Sequence, residues 1–328
     1  MYLIKGSADR REHARPVVAT IGNFDGVHRG HQHVIEKLAQ AGNTLDLPLV
    51  VILFEPQPRE YFAPQTAPPR LTSLREKLAC FRRLPVDAVL LLRFNHVLAN
   101  LSATAFIEEI LTGRLQVRHL VVGDDFRFGR KRQGDFTLLQ QQGRIHGFEV
   151  LDTPSLTSQG ERVSSTGVRL ALQNGDLERA GQLLGRPYSL LGRVVHGEKR
   201  GRVLGFPTAN ISLGRRNSAI RGVFAVTMRL LNGENWRGVA NVGQRPTIRG
   251  GEKISLETHL FDFSGDLYGQ AVEVIFHQKL RDECHFANLA ELSAQISRDA
   301  DEARDYFART LEADGDSRQV NREICLLR

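Results

Sequence analysis

The chain has 328 residues, 41% hydrophobic and 25% charged, an ordinary globular composition and long enough for two domains. Its formal net charge of +7 asks for polyanionic partners, yet the basic residues are dispersed, and short clusters such as Arg127, Arg130, Lys131 and Arg132 read as solvated surface. The longest apolar run, Leu49 to Phe54, is far below the roughly 18 residues of a membrane span, no apolar core of a secretory signal is present near Met1, and Cys80, Cys284 and Cys325 are too scattered for a disulfide framework or a metal cluster, so a cytoplasmic protein is expected.

In chain order, the first half alternates short apolar runs with helical patterns. Val17 to Ile21, Leu49 to Phe54, Ala88 to Leu92 and Leu120 to Val122 read as buried strands. Between them, His31 to Ala41, Leu74 to Leu84, Ala103 to Leu111 and Phe136 to Gln142 read as helices. The alternation predicts an α/β fold with βαβ units around a parallel sheet, which binds ligands beyond the carboxyl ends of its strands. The character changes at Gly185-Arg186-Pro187, read as the linker between a domain of residues 1–185 and one of residues 186–328. Beyond it, Gly192 to Val195, Val223 to Leu230, Trp236 to Val242, Ser255 to Phe261 and Ala271 to Phe276 are β-patterned, with glycine-bearing turns such as Asn232-Gly233 between them. They predict an antiparallel barrel. From about Ala290 to Leu311 a stripe of Leu289, Leu292, Ile296 and Ala300 predicts a C-terminal helix.

The sharpest local motif is Ile21-Gly22-Asn23-Phe24-Asp25-Gly26-Val27-His28-Arg29-Gly30-His31, directly after a predicted strand and at the start of a predicted helix. Its glycines let backbone approach a ligand, and the free N–H groups of a helix start attract phosphate. His28 and His31, three apart, face the same way on a helix, where imidazole N–H groups can donate to a triphosphate as charge develops on the leaving pyrophosphate. A metal pair, lacking an apparent third ligand, and histidines that merely serve the helix N-terminus are the competing readings. No GxxxxGK[ST] loop is present, which excludes a P-loop mechanism. Further on, Ser164, Ser165 and Thr166 offer hydroxyls at a helix start and Arg169 a guanidinium, for phosphates or simply as a cap.

In the second half, Gly197 to Asn210 is a basic, glycine-spaced loop that runs into Pro207-Thr208-Ala209-Asn210. Backbone N–H groups of such a loop can close over phosphates. Thr208 and Asn210 face the same way on an extended chain, and their neutral oxygens suit a hard cation such as Mg²⁺ that already carries ATP oxygens. A surface turn is the bland alternative.

These motifs carry a resemblance. HxGH after a glycine turn is similar to the signature of the nucleotidylyltransferase superfamily. The flanking GNFDGVHRGH, with FEPQPREYF, RLTSLREK, VGDDFRFGRKRQGD and VSSTGVR, resembles its FMN adenylyltransferase branch. GEKRGRVLGFPTAN, followed by RGVFAV, GVANVGQRPTI, LETHLFDFSGDLYG and LRDECHF, resembles the riboflavin kinase signature. Over roughly residues 1 to 305 the chain thus resembles the bifunctional riboflavin kinase/FMN adenylyltransferase family.

The resemblance implies a Rossmann-like nucleotidylyltransferase domain followed by an antiparallel β-barrel kinase domain. Riboflavin, FMN and ATP would be the substrates and Mg²⁺ the cofactor. It assigns adenylylation chemistry to His28 and His31, with ATP contacts from Gly22, Phe24, Asp25, Gly30, Ser164, Ser165, Thr166 and Arg169. Flavin contacts fall to Phe62, Phe106, Asp125 and Phe128, although isolated phenylalanines also read as core. In the kinase half it assigns ATP contacts to Gly197, Lys199, Gly205 and Pro207, and the metal to Thr208 and Asn210. Glu257 becomes the base that accepts the ribityl hydroxyl proton as that oxygen attacks the γ-phosphate, and His259 reads as structural. The residue after FEP is often His in the family; here it is Gln57, which keeps hydrogen bonding and loses charge. A flavin or nucleotide sensor with degenerate sites is the alternative from another class, opposed by the presence of His28, His31, Arg169, Thr208, Asn210 and Glu257. A nucleic-acid binder would need a helix-turn-helix, zinc finger or aromatic RNA motif, and none is found. No nucleic acid, no membrane, and a monomer or weak homo-oligomer are expected.

Overall fold

Strand β2 (Val17–Ile21) is buried along its whole length, and β3 (Leu49–Glu55) nearly so, because helices cover both faces of the sheet they share. They belong to the computed structural model of the chain, which describes residues 1–6, 15–123, 126–153, 156–197, 205–214, 217–247 and 251–313. The chain divides into two units: Met1–Pro68 with Thr72–Ser164, and Pro69–Leu71 with Ser165–Arg328.

In the first unit, β1 (Tyr2–Lys5), β4 (Ala88–Arg93), β5 (Val117–Val122) and β6 (Glu149–Asp152) join β2 and β3 in a six-stranded sheet ordered β1-β4-β3-β2-β5-β6. Every pairing in it is parallel. The chain lays β3 and β4 on one side of β2, then returns to place β5 and β6 on the other. The strand order therefore reverses between β2 and β5. Alternate residues feed two cores: Val17, Ala19 and Ile21 join one, Val18 the other. The edge strands β1 and β6 are short and largely exposed, so they lack the apolar run by which the central four are legible.

Helix α1 (Arg29–Leu45) and helix α3 (Leu74–Phe81) form where helical periodicity places them. The expected helix at Ala103 to Leu111 departs: it is α-helical only over Ala103–Phe106, then widens to a π-helix over Ile107–Arg114. Gly113 permits this, since a Cβ there would lie 2.7 Å from the Glu108 carbonyl oxygen.

The second unit is a closed antiparallel barrel with the order β10-β13-β12-β11-β14-β9. Its strands are β9 (Ser189–Val195), β10 (Thr208–Ser212), β11 (Gly222–Leu230), β12 (Asn235–Thr247), β13 (Gly251–Leu260) and β14 (Ala271–Arg281). Closure leaves no edge to protect. Two helices precede it, Ser165–Gln173 and Leu177–Leu184, the second burying Leu177, Ala180, Leu183 and Leu184 before Gly185 ends it at φ 73°. Residue 185, where the sequence changes character, is thus a helix C-cap, while packing groups both helices with the barrel.

The C-terminal helix Leu289–Ala313 is present, but its buried stripe runs Ala300, Ala303, Phe307 against Val223, Ala225 and Val239, while Leu289 stands exposed at its start. An ion pair fastens this helix: Arg281 Nε and Nη2 donate to the two Asp299 carboxylate oxygens at 2.8 and 2.7 Å. Gln295 Nε2 adds a third bond at 2.8 Å. Asp299 is buried, so Asp299→Ala leaves a partly buried guanidinium without its counter-ion and should cost about 3 kcal/mol. Urea unfolding measures it, and a loss under about 1 kcal/mol, the range of an exposed pair, would mean the pair contributes only as a surface contact.

Candidate active sites

The connection from β2 into α1 is bent by left-handed residues: Phe24 at φ 47°, Gly26 at 85° and Val27 at 43°. Phenylalanine and valine hold that conformation only where surroundings force it. Asp25, buried, supplies part of the force by accepting from Thr72 N at 3.1 Å and Thr72 Oγ1 at 3.4 Å. Thr72 Oγ1 in turn accepts from Gly26 N at 2.9 Å. Lys77, only 1% exposed, donates from Nζ to the Asn23 carbonyl at 2.8 Å. Asp25 thus acts inside the turn, through Thr72.

His28 is the N-cap of α1, and its Nδ1 accepts from His31 N at 3.4 Å. Neutral His28 therefore carries its proton on Nε2, as a donor. The two imidazoles stack with centroids 3.6 Å apart and planes 18° apart, and Phe24 lies 4.8 Å from His31. Gly30 makes the stack possible: a Cβ there would stand 3.2 Å from His28 Cε1 and Nδ1 and 3.3 Å from the Val163 carbonyl. Gly22 likewise leaves the Phe24 ring its place, 3.3 Å from where a Cβ would be. The capping reading of His28 is realised through Nδ1. His31 Nδ1 is buried with no hydrogen-bond partner among the described residues. Burial first, then His28 and the Lys77 ammonium, hold the His31 pKa well below 6.5, so its ring is neutral at pH 7.

The aromatic candidates separate. Phe106 and Phe128 are buried core residues packed on each other at 5.6 Å, with Phe126 stacked on Phe128 at 5.6 Å and 13°. Phe62 is 65% exposed and sits in a different group, 5.2 Å from Tyr61 and 5.6 Å from Phe94. Gln57, buried at the N-cap of helix Pro58–Phe62, has Nε2 without a partner among the described residues. Asp125 and Lys199 lie outside the described residues. Ser164 ends the first unit, while Ser165, Thr166 and Arg169 stand in the helix that opens the second, where Arg169 Nε donates to the Pro69 carbonyl at 2.8 Å.

In the barrel, register does the assembling. Leu256 pairs with Ile211 and Val242, all buried in the barrel interior, so Glu257 points to the outer face. There it stands directly between Asn210 on β10 and Asn241 on β12. Thr208 shares that face, paired with His259. His259 Nδ1 bonds the Pro207 carbonyl at 2.9 Å, which fixes the entry to β10 and fits its structural reading. Gly197 lies against the Asn210 carboxamide so closely that a Cβ would be 2.2 Å from Nδ2. Gly205 earns its place by its φ of 82° alone.

Sequence reading missed Lys77, although the signal was there: Leu74, Lys77, Leu78 and Phe81 form an i, i+3, i+4, i+7 stripe with a lysine on its buried side. It also missed Asn241, whose place beside Glu257 depends on strand register alone.

A family model described as FAD synthetase matches residues 10–167, and one described as riboflavin kinase matches residues 184–307. A Haemophilus influenzae protein named bifunctional riboflavin kinase/FMN adenylyltransferase is 48% identical over 307 residues, covering 94% of this chain and 99% of its own. Relatives of the same name in Escherichia coli K12 and Pseudomonas fluorescens are each 49% identical, covering 90% and 93% of this chain and 94% and 97% of their own. A Streptococcus pneumoniae crystal structure described as a macrolide-efflux protein is similar at 29% identity and a TM-score of 0.76, covering 92% of this chain and 98% of its own. Among the described residues no helix is long and apolar enough to cross a membrane.

The His31 environment is testable directly. Its ring should titrate well below pH 6.5, and Lys77→Met should move the midpoint upward, because one charge opposing protonation is gone. An NMR titration of the imidazole protons reads both values; an unmoved midpoint in the variant separates Lys77 from His31.

Proposed function

The chain belongs to the bifunctional riboflavin kinase/FMN adenylyltransferase family, and from that premise we propose how its residues divide the two reactions. The enzyme phosphorylates riboflavin to FMN and adenylylates FMN to FAD. With ATP as co-substrate of both steps, we place it in the cytoplasm.

In the kinase step the Glu257 carboxylate accepts the proton of the ribityl terminal hydroxyl as its oxygen attacks the γ-phosphorus, the β–γ bridging P–O bond breaks and ADP leaves. The observation that carries this is the cross-strand pair of Glu257 with Asn210, on the same barrel face as Thr208. Thr208 and Asn210 present a hydroxyl and a carbonyl oxygen, the hard neutral donors that Mg²⁺ takes alongside waters and nucleotide oxygens. Bound there, the cation supplies charge neutralisation to the phosphates. Gly197 and Pro207 frame the same face, with Gly197 against Asn210 and the Pro207 carbonyl held by His259.

In the adenylylation step an FMN phosphate oxygen attacks the α-phosphorus of ATP and pyrophosphate leaves. His28, capping through Nδ1, is held by the helix start, and neutral His31, stacked on it, adds an imidazole without the cost of a buried cation. Asp25 and Lys77 hold the turn in position. Positioned donors of this kind act on charge that develops only in the transition state.

Glu257→Gln keeps size and hydrogen bonding and removes the base. Riboflavin phosphorylation should fall on the order of 10²–10⁴-fold with little change in substrate affinity, while added FMN is still converted to FAD. Near-normal phosphorylation by the variant would remove Glu257 from the mechanism. Conversely, His28→Ala with His31→Ala should abolish FAD formation and spare FMN formation, since one lost donor alone can cost about 2.7–4 kcal/mol. Equal loss of both activities would contradict the division of labour.

A further inference from the structure

We propose that the basic hairpin Phe128–Gly134 of the first unit recognises the phosphate monoester of the flavin substrate, an inference that rests on the reading of this unit as an FMN adenylyltransferase. Its place comes from the sheet. The histidine turn follows β2 and the hairpin follows β5, and strand order reverses between these two parallel neighbours. In open α/β sheets the ligand crevice lies at the carboxyl ends of the strands at that reversal.

The hairpin is fixed rather than draped. Phe128 and Gly134 exchange both backbone bonds, at 3.1 and 2.9 Å, and Arg130 N donates to the Leu101 carbonyl at 2.8 Å. Gly129 packs so tightly on the start of the neighbouring helix that a Cβ would lie 2.7 Å from Ala103 Cα and N. Within this frame three of four residues take positive φ: Gly129 at φ 71°, Lys131 at 55° and Arg132 at 59°. Two are non-glycine residues, each costing on the order of 1–3 kcal/mol unless the surroundings impose it, and such residues gather at ligand clamps.

That backbone displays a charge set. Arg127, Arg130, Lys131 and Arg132 are all exposed, and none pairs with a carboxylate among the described residues. Concentrated like charge on a rigid hairpin repels itself until an anion arrives. In sequence the cations adjoin the half-buried Phe126, which stacks on the buried Phe128, so an apolar ring adjoins a cationic edge. A flavin bearing one terminal phosphate has that pairing of properties. Riboflavin lacks the anion. The triphosphate of ATP offers the same phosphate chemistry from a second source.

The triple variant Arg130→Gln, Lys131→Gln, Arg132→Gln in the full chain separates these sources, because all three side chains are exposed and replaceable without disturbing the core. KM for FMN in FAD formation should rise on the order of 10- to 100-fold, as expected for lost hydrogen bonds to a charged group. KM for ATP and riboflavin phosphorylation should not move. FMN affinity, read by flavin fluorescence, should fall with salt less steeply in the variant than in the unmodified chain. An unchanged KM for FMN overturns the inference, and so does a rise confined to ATP. If the unmodified chain made no FAD from FMN and ATP, the adenylyltransferase reading would fail instead, while the difference in FMN affinity between the two proteins would still decide the hairpin.

Discussion

The buried carboxylate of Asp25 is the group on which the geometry of the first unit's histidine turn rests. Only seven residues lie between the end of β2 and the start of α1, and the chain must reverse within them while presenting two imidazoles. Two bulky residues at positive φ are the consequence, and neither would persist in an unconstrained turn. Asp25 grips Thr72, and Thr72 returns a bond to Gly26. From the other side the Lys77 ammonium seizes the Asn23 carbonyl. A polar frame, sealed from water, thereby holds a strained backbone in the one arrangement that stacks His28 on His31. Taking charges out of water is costly, and here they act on geometry rather than on net stability.

The barrel solves its problem by a different route. A closed antiparallel sheet sets the neighbours of every strand residue once register is chosen. Shifting β13 by one residue would send Glu257 into the interior and bring Leu256 out, exchanging a carboxylate for an apolar side chain in the packed core. Burial of Leu256, Ile211 and Val242 therefore fixes the face on which Glu257 stands. Hydrophobic packing on one face specifies polar chemistry on the other. The C-terminal helix covers part of that outer face beside Val223, Ala225 and Val239.

Phosphate runs through both reactions, and the chain handles it without a P-loop. In the first unit, two imidazoles and a rigid cationic hairpin are proposed to take the place of a glycine-cradled lysine. In the second, neutral oxygens on a strand are proposed to do so.

The amino-acid sequence by itself determined the fold class and the two motif sets. The central strands are legible because burial on both faces demands unbroken apolar runs, and the barrel because one buried face imposes period two. The glycine-histidine turn and the Pro-Thr-Ala-Asn segment are local, so adjacent residues carry them whole. What tertiary structure decided is everything that joins distant positions. Asp25 meets Thr72 across 47 residues, and Lys77 meets Asn23 across 54. Glu257 finds Asn210 and Asn241 only through register. Phe62, Phe106 and Phe128 look alike as isolated aromatics, yet two are core and one is exposed, since exposure depends on what packs above a residue and not on its neighbours in sequence. Residue 185 marks a helix end, while packing assigns the two preceding helices to the barrel's unit, because amphipathic helices take their allegiance from the surface that buries their apolar face.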